Sequence, residues 1–272
     1  MAGESAEPRI KLILDTPQLA AIYDEVSGHQ QLADGKELIS ALCISTGERI
    51  LDLGAGTGHL AAYVQKIVGS SGSVVAVDPL PLRVEIAQSR ATANFEARLG
   101  RAEDLSEFAD ASFDVVYLNC VFHWIEDKRQ ALKEIYRVLK TGGRLGLNCQ
   151  DTNHPHEAFH FMQRAMTEAG VECDYHVPGL SSRELEALVT GAGFVAYTGE
   201  LRKVVNFYRD ADHLLAWANS SSFGNFLCNV SETGCALWRD ALNRLLEPKR
   251  LTGEGICLKR YLLFATARKP TS

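Results

Sequence analysis

Apolar residues along this chain follow two alternating rhythms. Ile50, Leu51 and Leu53 form a short run, and Leu60, Val64, Ile67 and Val68 follow it at helical spacing. The run Val74–Val77 precedes Leu82, Ile86 and Ala93; the run Val115–Leu118 precedes Leu132, Ile135, Tyr136 and Leu139. Short runs read as buried strands, and the wider spacing as helices that cover them. Upstream, residues 10–42 read as two helical pieces, separated by a polar segment from Tyr23 to Gln31. Downstream, Phe159, Met162 and Met166 mark one helix, and Ser181–Glu184 is a capping box that opens another, ending at Gly191. A strand Phe194–Phe207, helices near Asp210–Asn219 and Thr233–Leu246, and a last strand Cys257–Arg268 complete the pattern.

The first strand–helix junction carries the chemistry. Arg49–Leu60 reads R-I-L-D-L-G-A-G-T-G-H-L. Gly54, Gly56 and Gly58 allow positive φ and let backbone amides approach a ligand, while the helix behind them aims unpaired N–H groups into the same space. The spacing is G-x-G-x-G, and His59 fills the slot of the third dinucleotide-site glycine. Asp52, inside the strand, would repel phosphate and suits a cationic amine; a buried acid needs such a partner.

Asp78 closes the second strand, 24 residues after Gly54. That is near the ~20 residues at which a following strand delivers an acid to a ribose. Its two oxygens suit two vicinal hydroxyls; capping the next helix is the alternative. Asn119 closes the fourth strand, and His123-Trp124 follow. Strand ends of this kind face the ligand crevice of an open α/β sheet. His123 is there either as a base or, with Trp124, as a wall.

These residues resemble motif I and the following motifs of the class I S-adenosylmethionine (SAM) methyltransferases. Ala97–Leu105 and Y-R-V-L-K-T-G-G-R-L add to the match, which lies within residues 45–150. The resemblance implies a Rossmann-like α/β fold: a seven-stranded, mostly parallel sheet, helices on both faces, an antiparallel final pair and helical cap insertions. It divides the chain into a lid segment (1–44), a SAM-binding core (45–150) and a C-terminal part (151–272) with cap helices and the last two strands. SAM would lie against Asp52, Gly54, Ala55, Gly56, Asp78, Pro79, Ala102, Glu103 and Asn119, leaving S-adenosylhomocysteine. Arg101 stands where the family has an acid, and N-capping competes with an adenine contact for Glu103. His123 is the candidate catalytic residue, and Tyr23, His29, Trp124 and Trp217 the candidate substrate pocket. Arg202, Arg260 and Tyr261 are placed to hold a substrate anion. Small-molecule carboxyl methyltransferases, such as those for trans-aconitate and juvenile hormone acid, share the His-Trp pair, so a carboxylate oxygen is the first choice of acceptor. A thiol, an amine or phenol, and SAM binding without transfer are the alternatives.

Charge and cysteine content narrow this further. A net charge of −6 without a basic block argues against a nucleic-acid partner. No apolar run approaches the ~20 residues of a membrane span. Seven cysteines without a C-x-x-C argue against zinc and redox motifs, and against an arsenic methyltransferase with its cysteine clusters. His154, His156 and His160 lack the further ligands that a metal needs. The expectation is a cytoplasmic protein, monomer or weak homodimer, with a small-molecule substrate and no metal.

Overall fold

The computed structural model describes residues 11–172, 177–226 and 228–271. The chain divides into two compact units. The larger comprises Ser27–Pro155, Pro178–Val204 and Arg260–Ser272; the smaller comprises residues up to Val26, His156–Val177 and Val205–Lys259.

Strands β1 (Arg49–Leu53), β2 (Ser73–Asp78), β3 (Phe95–Leu99), β4 (Phe113–Asn119) and β5 (Leu139–Gln150) pair in parallel. Further strands are β6 (Val195–Tyr208), β7 (Arg250–Leu251) and β8 (Gly255–Arg268). The sheet order is β3-β2-β1-β4-β5-β8-β6. β8 runs antiparallel to β5, and the short β7 pairs with the start of β8, adding an eighth strand to the seven expected.

Alternate residues of these strands feed opposite faces, as period-two side chains must. Leu51, Leu53, Val75, Val77, Val116 and Leu118 meet α5 (Lys128–Val138) and α7 (Ser182–Gly191). Ile50, Val74, Ala76, Val115 and Tyr117 meet α2 (Gly28–Leu42), α3 (His59–Val68) and α4 (Pro81–Gln88). Local signals set the ends of the helices. Asp127 caps α5, and Ser181 with Glu184 forms the anticipated reciprocal box on α7.

Two local expectations need correction. α4 buries Arg83, Val84 and Ala87, whereas Leu82 and Ile86 are only half-buried and Ala93 is exposed beyond its end. Both faces of this short helix carry apolar residues, and contact with the sheet selects between them. The segment after Ile22 is helical rather than an irregular connection: a single π turn, Tyr23–Ser27, joins α1 (Pro17–Ile22) to α2.

In the smaller unit, α6 (Glu157–Ala169), α8 (Ala211–Ser221) and α9 (Glu232–Leu246) enclose Met162, Trp217, Trp238 and Leu242. The Trp238 indole donates to the Met162 carbonyl at 3.0 Å, satisfying its buried N–H. Among the described residues, no helix is long and apolar enough to cross a membrane.

Candidate functional site

The turn after β1 is built by its glycines. Gly54 has φ +74°, and a Cβ there would overlap the Val121 side chain, so the chain beyond β4 packs directly on bare backbone. The amides of Gly54 and Ala55 both donate to the Val77 carbonyl, at 2.7 and 3.1 Å. Gly56 N–H donates to Asp78 Oδ2 at 2.8 Å, and Leu80 N–H to Asp78 Oδ1 at 2.9 Å. These turn amides, expected to meet a ligand, are therefore spent on the protein. What the turn delivers is a buried Asp78 carboxylate, held at the ends of β1 and β2. The N-cap position of α4 is Leu80, so Asp78 is not the cap of that helix.

Asp52 lies opposite Tyr117 in the β1–β4 register. The Tyr117 hydroxyl donates to Asp52 Oδ2 at 2.7 Å. Burial pushes the Asp52 carboxyl up to about 7, with the neighbouring Asp78 charge adding to the rise and the Tyr117 bond opposing it. Tyr117 was not singled out from the sequence. The signal was present: a tyrosine inside an apolar strand needs a partner for its hydroxyl.

Asn119 Nδ2 donates to the Gln31 carbonyl of α2 at 2.9 Å, and Asn148 Nδ2 donates to Asn119 Oδ1 at 2.8 Å. Asn148 Oδ1 accepts from Cys120 N–H at 2.5 Å, holding Cys120 at φ +58°. Asn148 is a second residue that the sequence reading passed over, although it interrupts an apolar strand. His123 follows in a 3-10 turn, Phe122–Trp124, with its ring centroid 4.8 Å from that of the half-buried Trp124. Burial, then the charges of Lys128 and Arg260, drive the imidazole down to about 3. His123 Nδ1, Thr57 Oγ1 and Gln30 Oε1 are buried without a protein partner.

Pro79 and Ala55 are half-buried and Ala102 buried. Glu103 is ion-paired to Arg101 at 3.5 Å, so the residue that departs from the family pattern engages the expected acceptor. His29 is exposed, and its ring lies 5.2 Å from that of His59. Within the smaller unit, Tyr23 is buried, and Trp217 is packed against His156, Phe159 and Tyr208 as core. Arg260 is committed to a buried ion pair with Asp34, and Arg202 to Glu200 and Glu37. The Tyr261 ring lies 5.1 Å from that of His154, tilted by 43°. Both arginines among the anion candidates are thus already paired with carboxylates of the protein.

A family pattern for a methyltransferase domain matches residues 51–147, from β1 into β5. Residues 51–147 thus form a methyltransferase domain similar to those of the class I SAM-dependent enzymes. The chain is 37% identical to the arsenite methyltransferase of Aquipseudomonas alcaligenes over 139 residues, which is 47% of this chain and 39% of that protein. It is also 37% identical to the ubiquinone/menaquinone biosynthesis C-methyltransferase UbiE of Haemophilus ducreyi over 107 residues, 38% of this chain and 41% of that protein. The match therefore spans about two-fifths of these relatives. The fold is similar to that of the YcgJ protein from Bacillus subtilis, with TM-score 0.60 and 22% identity over 90% of this chain and all of that one. Asp78 and Asp52 place two buried carboxylates near the ends of β2 and β1.

Proposed function

We propose that this chain transfers the methyl group of SAM to a small-molecule nucleophile, with a carboxylate oxygen as the first candidate. The observation that supports the reading is the buried Asp78 carboxylate, held by the Gly56 and Leu80 amides at the rim of the glycine turn. The two oxygens of a carboxylate suit a vicinal sugar diol. Asp52 balances the charge of the amino group, and the unpartnered Thr57 and Gln30 atoms supply further polar contacts. Pro79 and Ala102 border the base, Glu103 follows β3 and Asn119 closes β4, and His29 and Trp124 are candidate walls of the substrate site. SAM supplies an activated methyl on a sulfonium; the protein positions it and excludes water.

The state of His123 bears on the nucleophile. An imidazole held near 3 is a poor proton acceptor at neutral pH. The substrate is then one that arrives with a free lone pair, as a carboxylate does. Arsenite, raised by the name of one relative, calls for thiolates, whereas burial pushes the Cys120 thiol up to about 12 and raises Cys149 as well. Among the described residues, no group of three or more His, Cys, Asp or Glu is arranged to hold a metal.

The test incubates the full chain with methyl-labelled SAM and panels of carboxylic acids, thiols, amines and arsenite. Label in an acid together with S-adenosylhomocysteine supports the reading. Label confined to thiols or arsenite overturns the choice of acceptor, and absence of SAM binding in calorimetry overturns the whole.

A further inference from the structure

β6 is the outermost strand on its side of the sheet, and among the described residues no strand pairs with its far edge. A long unpaired edge is a template for another strand. Leu201, at mid-strand, is 37% exposed, and further along the same strand Val205 and Phe207 are 41% and 44% exposed.

We propose that this edge pairs antiparallel with the same edge of a second copy of the chain, centred on Leu201. A two-fold axis normal to the sheet preserves its faces, so a residue can lie opposite only residues of its own face. Three central registers therefore compete. Centring on Glu200 sets Glu200 against itself, and centring on Arg202 sets Arg202 against itself; like charges directly opposite are destabilising.

Centring on Leu201 sets Leu201 against Leu201 and Glu200 against Arg202 on both sides of the axis. It also sets Lys203 against Gly199, where a side chain would overlap Tyr197 because the Tyr197 ring already lies over that glycine. Lys203 of the second copy then rests on the Tyr197 ring, a cation–π contact. Arg202 already bonds Glu200 of its own strand at 2.9 Å and Glu37 at 3.4 Å, and its five N–H groups leave donors for the Glu200 of the second copy. Ala196, at φ +51°, kinks the strand and bounds the flat stretch at Tyr197.

So short a pairing buries less than the roughly 1,200 Å² typical of stable interfaces, and the dimer is a weak, concentration-dependent one. Sedimentation velocity of the full chain over a concentration series tests it. Glu200→Arg alone and Arg202→Glu alone should each weaken the dimer roughly tenfold, since every substitution acts twice across the axis. The double variant E200R/R202E restores opposite charges and should return the wild-type affinity. Melting curves followed by circular dichroism check that each variant folds. A chain that stays monomeric throughout, or a dimer that neither single substitution weakens, overturns the proposal.

Discussion

The Tyr117 hydroxyl and the Asp52 carboxylate meet at 2.7 Å between adjacent strands, both side chains fully or almost fully buried. The bond tempers the burial that lifts Asp52 to about 7. A cationic amine binds the ionised acid, so SAM affinity should climb as pH rises through about 7 and level off above it. Tyr117→Phe removes a bond that favours the ionised form, and the climb should move to higher pH. At pH 7 the loss should be about 1–3 kcal/mol, the scale of a hydrogen bond to a charged group. Calorimetric titration with SAM from acid to alkaline pH reads both effects; a flat wild-type profile would sink the assignment.

Asp78 links the glycine turn to the start of α4 through two amides. Asp78→Ala should weaken SAM binding by about 1–3 kcal/mol. Asp78→Asn, which keeps one acceptor, should lose less. Unchanged affinity in the alanine variant would remove the sugar contact from the proposed site.

His123 makes a stability prediction with a definite sign. Its folded value near 3 lies below the ordinary 6.5, so the unfolded chain takes up the proton first on acidification. The stability it contributes is complete above pH 6.5 and is lost as pH falls toward 3. Asp52 acts in the opposite sense: its raised value favours the fold at low pH, and that contribution fades from about 4 to 7. Comparing His123→Gln with wild type isolates the histidine. The gap should widen in favour of the variant by roughly 1.4 kcal/mol per pH unit below 6.5, as an upper bound. Denaturant melts at several pH values measure it. His123→Ala should also retain SAM affinity and most turnover; a fall of ~10²-fold in turnover at unchanged affinity would make His123 a base.

Asn148 satisfies two partners at once, Asn119 Oδ1 and Cys120 N–H. Asn148→Ala leaves both buried and unpaired, at a cost of about 1–3 kcal/mol each. Hydrogen exchange should quicken at Gln31 and its neighbours in α2, because Asn119 loses the bond that orients its amide toward that helix. Exchange confined to β5 would make the role purely local.

Much of this architecture was legible in the chain. The apolar runs became strands, the S-x-x-E signal became a capped α7, and the glycine spacing located the turn, because these features depend on residues close in sequence. The buried face of α4 was not legible, since an eight-residue helix with apolar residues on two sides leaves the choice to the sheet. Nor was the π turn at Tyr23–Ser27, which a polar segment does not announce.

At the site the division is similar. Local sequence determined that Asp52, Gly54–Gly58, Asp78 and Asn119 would stand at the ends of successive strands, because strand period and turn length set those positions. Only the tertiary structure decided what each meets: Tyr117 for Asp52, the Gly56 and Leu80 amides for Asp78, Asn148 and Gln31 for Asn119, Asp34 for Arg260. Most of these partners lie tens of residues away or more, and strand order and helix docking, which no short stretch encodes, bring them within hydrogen-bond reach.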